Sequence, residues 1–145
     1  MVTNNGEGVT ILSDQKWMEY AVDLAKKNAT EKGGKPFGAV IVKEGRIISE
    51  GVNDVLATHD PTTHAELQAI SRATRLLATD DLSDCELYAS GEPCPMCLSA
   101  IYLANMNKIY FANPMEGNPL ASQAKKIYEQ VGLPNEKRIN KLIQL

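Results

Sequence analysis

Four residues of this chain have the side chains and spacing for metal-assisted hydrolysis. His64 and Glu66 sit in His64-Ala65-Glu66, and Cys94 and Cys97 sit in Pro93-Cys94-Pro95-Met96-Cys97. One imidazole and two thiolates are three good ligands for zinc, which takes four donors. Three protein ligands leave one position for water, the mark of a catalytic rather than a structural zinc. Zinc lowers the pKa of such a water towards ~7, so hydroxide is available at neutral pH. Glu66, not a ligand in this scheme, has the chemistry of a proton carrier: general base on the water, then general acid to a leaving group.

Helix starts must position these groups. Helix N-termini carry free N–H groups and positive potential, which lower cysteine pKa and stabilise thiolates. Cys94 fits the residue just before a helix of about 95–105, with Cys97 in its first turn and Pro95 at the first helical position, where a missing N–H costs nothing. His64 and Glu66 are two apart, about 200° around an ideal helix, and would diverge inside one. They converge only where His64 is not yet helical. Thr62-Thr63 supports a cap there, and a helix is predicted from about Thr63 to Ala78, with Leu67, Ile70, Ala73, Leu76 and Leu77 inward.

The remaining elements frame those two helices. Residues 1–12 read as an unstructured lead-in. Ser13-Asp14 reads as a cap for an amphipathic helix over 14–31, with Trp17, Met18, Ala21, Leu24 and Ala25 at helical spacing, ended by Gly33-Gly34 and Pro36. Ala39–Val42 and Arg46–Glu50 form a hairpin about Glu44-Gly45. Gly51 to Pro61 reads as loop. Glu86–Ala89 and Lys108–Ala112 are further strands, Leu120 to Val131 a further helix, and the tail 139–145 an edge strand. The order α-β-β-α-β-α-β-α-β predicts a single α/β domain over residues 1–145, with a mixed five-stranded sheet between helix layers, α/β/α.

Composition narrows the function classes. Of 145 residues, 43% are hydrophobic and 23% charged, an ordinary globular balance. The net charge of −3 weighs against a nucleic-acid partner, which usually requires a basic face. Three cysteines, two of them in one C-x-x-C, are not a disulfide framework. No apolar run is long enough to span a bilayer, and Met1–Asn5 does not open a signal peptide, so a cytoplasmic location is expected.

Each motif also has a plainer reading. C-x-x-C at a helix start is equally the form of a thiol oxidoreductase, although that leaves His64 and Glu66 idle. A structural Cys₂His₂ zinc in a binding module would recruit His59 from its loop as fourth ligand. Cys85, at a strand start, reads as a buried free thiol and Met96 and Met106 as core filler. Phe37 reads as a core residue, Asn53 as a turn residue, and Asp54, Asp60 and Glu116 as surface acids.

Longer blocks carry a resemblance. They are Pro36-Phe37-Gly38-Ala39-Val40-Ile41-Val42, Glu50-Gly51-Val52-Asn53, His59-Asp60-Pro61-Thr62-Thr63-His64-Ala65-Glu66 and Glu92-Pro93-Cys94-Pro95-Met96-Cys97-Leu98-Ser99-Ala100-Ile101. With them the chain resembles the cytidine-deaminase-like superfamily, whose signature is H-x-E with P-C-x-x-C. It is most similar to the purine-acting branch of guanine deaminases and bacterial tRNA adenosine deaminases. The resemblance implies zinc on His64, Cys94 and Cys97, Glu66 as proton shuttle, Asn53 on the base edge, Phe37 stacked on the ring and the Ala65 backbone against the base. It also implies a homodimer acting on a small-molecule base. The expected reaction is guanine to xanthine and ammonia, with tRNA adenosine or cytosine as alternative substrates. The guanine-acting members often carry paired acids after the fourth strand. Here that stretch is Pro119-Leu120-Ala121-Ser122-Gln123, which leaves Glu116 or Glu129 as candidate substitutes.

Overall fold

The computed structural model describes residues 6–115 and 142–145. The elements are α1 (Gly6–Lys32), β1 (Gly38–Lys43), β2 (Arg46–Val52), α2 (Val55–Thr58), α3 (Ala65–Leu77), β3 (Glu86–Gly91), α4 (Pro95–Leu103), β4 (Lys108–Asn113) and β5 (Leu142–Gln144). The strands form one mixed sheet in the order β2-β1-β3-β4-β5, with β5 only three residues long. The β1–β2 and β1–β3 pairs are antiparallel; β3–β4 and β4–β5 are parallel. The expected edge strand is thus present in the tail. The helix expected over 120–131, the stretch 119–123 and the acids Glu116 and Glu129 lie outside the described residues.

The β1 strand is apolar on both sides because both faces of the sheet are covered. Ala39 and Ile41 join Leu87 and Ile109 in a core with Ala65, Ala69, Ala73, Leu98 and Ile101 from α3 and α4. The alternate residues Val40, Val42, Tyr88 and Tyr110 pack with Met18 and Ala21 of α1. The layers are therefore α1, sheet, and α3 with α4, as the element order predicts. Tyr88 and Tyr110 stack across the parallel pair with ring centroids 4.7 Å apart. At the hairpin, Glu44 and Gly45 both take positive φ (51° and 73°), the primed geometry that matches strand twist.

Three expectations are corrected. Helix α1 begins at Gly6 rather than near residue 14, so Ser13-Asp14 is not its cap. Residues 6–13 hold no proline, and glycines weaken a helix without breaking it. The loop 51–61 contains the single-turn helix α2, too short to show a periodic pattern. On α3, Leu76 is 67% exposed, and the inward stripe is made of alanines.

Small residues let the helices close on the sheet. A Cβ on Gly38 would lie 2.5 Å from the Ala21 carbonyl oxygen of α1. A Cβ on Gly51 would collide with the Ala65 carbonyl oxygen and lie 2.7 Å from the Ala69 nitrogen of α3. Ser49 adds a buried hydrogen bond, its hydroxyl donating to the Ala69 carbonyl at 2.7 Å. The start of α3 is thereby set on β2 by backbone contact.

Candidate active site

Both motifs lie at helix starts. His64 is the residue before α3, in extended conformation (φ −74°, ψ 156°), and Cys94 holds the same place before α4 (φ −71°, ψ 171°). Neither side chain caps its own helix, so both are free to turn towards each other. Pro95 occupies the first turn of α4. The caps expected from Thr62 and Thr63 are directed elsewhere: Asp60 accepts from the Thr62 hydroxyl at 2.7 Å, and the Thr63 hydroxyl donates to the Asp60 carbonyl at 2.8 Å.

Nδ1 of His64 lies 3.6 Å from the Cys94 sulfur and 3.5 Å from the Cys97 sulfur. Their donor atoms all fall within 4.8 Å of one another, the one His, Cys and acid cluster among the described residues that could hold a metal ion. The donors are an imidazole and two thiols, a set suited to zinc. His59 is not in the cluster, so no fourth protein ligand closes it among the described residues. Cys97 is buried and Cys94 half-buried.

Glu66, in the first turn of α3, is 8% exposed and stands outside the ligand cluster. In the metal-free protein, burial pushes its carboxyl up to about 7. The Cys94 thiol is pulled down to about 4, first by the hydrogen bond with Cys97; burial opposes the shift and the His64 hydrogen bond assists it. Cys97 is correspondingly pushed up by its hydrogen bond to Cys94 and by burial. His64 is raised, chiefly by its hydrogen bond with Cys94. Cys85 behaves as expected of an inert thiol: it is 2% exposed and raised to about 11 by burial and then by the Asp84 charge.

A cavity of about 330 Å³ opens beside these groups. Of the seven residues singled out from the sequence, Phe37, Asn53, His64, Ala65, Glu66 and Cys94 line it, while Cys97 lies fully buried and does not. Phe37 is no core residue: it is 42% exposed, and its ring rests on Gly91, where a Cβ would meet it at 3.3 Å. Asn53 is 5% exposed and is held by its ends. Its Oδ1 accepts from the Val55 N–H at 3.0 Å, its backbone N–H donates to the Phe37 carbonyl at 3.2 Å, and its carbonyl accepts from Asn28 Nδ2 at 2.9 Å.

Sequence reasoning did not find the other walls. Lys35, Gly91, Glu92, Asn113, Pro114 and Met115 also line the cavity. The Glu92 N–H donates to the Asn113 carbonyl at 2.7 Å, and the Met115 N–H donates to Glu92 Oε1 at 3.1 Å. The ends of β3 and β4 thus close one side. The signals that pointed to them were the parallel pairing and, for Glu92, its place before Pro93-Cys94. Asp54, expected on the surface, is half-buried and accepts from Gln68 Nε2 at 2.9 Å.

Comparison with known proteins agrees with this geometry. Residues 12–113 match the region described as the cytidine and deoxycytidylate deaminase zinc-binding region. The guanine deaminase of Bacillus subtilis (strain 168) is 41% identical over 128 residues, 88% of this chain and 82% of that protein. The X-ray structure of guanine deaminase from Bacillus subtilis superposes with a TM-score of 0.72 at 42% identity, over 84% of this chain and 78% of that one. The tRNA-specific adenosine deaminase of Aquifex aeolicus (strain VF5) is 51% identical over 97 residues, 65% of this chain and 64% of that protein. The chain belongs to the cytidine and deoxycytidylate deaminase family of zinc-dependent hydrolytic deaminases.

Proposed function

We propose that the protein deaminates a free purine base, guanine to xanthine, with water consumed and ammonia released. The observation that carries this reading is the buried Glu66 beside, but outside, the His64–Cys94–Cys97 cluster at the edge of the cavity. The three clustered residues would hold zinc, which supplies Lewis acidity to activate water at neutral pH. Glu66 takes the proton from the attacking water and returns it to the departing amino group. Its burial beside the cluster supports that duty, because it keeps the carboxyl out of bulk water next to the reacting groups.

The other residues bind and orient. Phe37, braced on Gly91, covers one face of the ring. Asn53, its side chain held by the Val55 N–H, holds the base edge. Ala65, fully buried at the start of α3, lines the floor with backbone. The cavity volume is at the small end of ligand sites, suited to a free base. A homodimer in the cytoplasm goes with this reading, and light scattering of the purified protein tests the assembly.

A second reading, a tRNA adenosine deaminase, is supported by the 51% identity to the Aquifex enzyme. The net charge of −3 weighs against it. Ammonia release from guanine, adenine, cytosine, their nucleosides and tRNA separates the two. Release from guanine is the expected result; release from tRNA alone would install the second reading, and release from none would remove both.

A further inference from the structure

Asn28 stands out on α1. Met18, Ala21 and Ala25 are buried at helical spacing, and position 28 continues that stripe. An apolar residue would serve packing there at less cost than an amide, which must be fully hydrogen-bonded when buried. Asn28 is 2% exposed, and its Nδ2 donates to two carbonyls, Lys35 at 2.8 Å and Asn53 at 2.9 Å. Both hydrogens of that nitrogen are thus committed. Both carbonyls belong to residues that line the cavity.

The contacts form a closed ring. The Lys35 carbonyl also accepts from the Phe37 N–H at 2.9 Å, and the Phe37 carbonyl accepts from the Asn53 N–H at 3.2 Å. One side-chain nitrogen therefore fixes the strap that carries Phe37 against the segment that carries Asn53. Gly34 belongs to the same device. Its N–H donates to the Asn28 backbone carbonyl at 2.9 Å, and a Cβ there would lie 2.6 Å from Asn28 Nδ2.

We propose that Asn28 is a positioning residue for the base pocket, setting the separation between the Phe37 ring and the Asn53 amide. It touches neither the zinc ligands nor Glu66, so it acts on how the base is held and not on proton transfer. The inference rests on the reading of this cavity as a base site.

Two variants test it. Asn28→Ala removes the amide, and Gly34→Ala, at a glycine without positive φ, displaces the amide without deleting it. In the zinc-loaded protein, each is expected to raise KM for guanine by about tenfold or more while kcat stays within about threefold, the signature of lost uniform binding. Zinc content stays at the wild-type value, and the Asn53 amide proton exchanges faster while amides in β3 keep their protection. The inference is overturned if both variants keep the wild-type KM and Asn53 protection, or if kcat falls with KM unmoved. If Asn28→Ala does not fold, Gly34→Ala decides alone. If the wild type deaminates no base, the proposed function fails; Asn53 exchange in the variants still decides whether Asn28 holds the pocket walls.

Discussion

The two helix starts that build the site are nearly alike in backbone and unlike in the spacing of their chemical groups. His64 and Cys94 share extended φ and ψ, and neither spends its side chain on capping. After His64 the next chemical group is two residues on; after Cys94 it is three. Three residues carry the chain close to a full turn, so Cys97 returns to the side of Cys94 and both sulfurs approach one nitrogen. Glu66 follows the extended His64 by two residues and is buried but outside the ligand cluster. One residue of spacing thus separates a second member of the cluster from a buried carboxyl outside it.

Removing ligands gives the largest effect. His64→Ala, Cys94→Ala and Cys97→Ala should each lose zinc and all measurable deamination, read by metal analysis and ammonia release. Zinc retained by any of them would break the equivalence of the two helix starts. Glu66→Gln should instead keep zinc and lower kcat by about 10²–10⁴-fold, the usual range for general acid–base catalysis. Loss of zinc with the carboxylate would make Glu66 a ligand and erase the contrast.

The third effect concerns pH. Glu66 of the metal-free protein has a folded pKa of about 7, above its ordinary 4.5. The folded state therefore holds an extra proton between those values, and the stability this contributes is lost as pH rises through the window. Urea unfolding of the metal-free wild type against Glu66→Gln should shift against the wild type by up to about 3 kcal/mol between about pH 4.5 and 7. A constant difference would show Glu66 to be solvated. The smallest effect belongs to Pro95, whose ring stiffens the unfolded chain at the start of α4 and has no counterpart at Ala65. Pro95→Ala should cost about 0.4–1 kcal/mol in the same assay and leave zinc bound.

The metal cluster was legible because it depends on local spacing at two helix starts. The layers were legible too, since β1 alternates between two covered faces and the β-α-β order demands parallel pairing. What was hidden depends on tertiary contact. Phe37 follows a proline before an apolar run and looks like core from sequence, yet it lies over Gly91 at the cavity. Asn28 is one polar residue on a helix, and nothing near it in sequence points to Lys35 or Asn53. Leu76 fits the apolar period of α3, but the alanine stripe that admits Gly51 turns it outward.

That contact of Gly51 with Ala65 and Ala69 has a consequence for how the protein can change. The height of the α3 start above the sheet is set by main-chain atoms that have no rotamers to adjust. Substitutions among the core side chains can alter volume and stability without moving His64 and Glu66 relative to β2. The cavity walls from Lys35, Gly91 and Asn113 to Met115 hang on other segments. Changes at Lys35 and from Asn113 to Met115 can therefore reshape the cavity while His64 and Glu66 keep their place on β2.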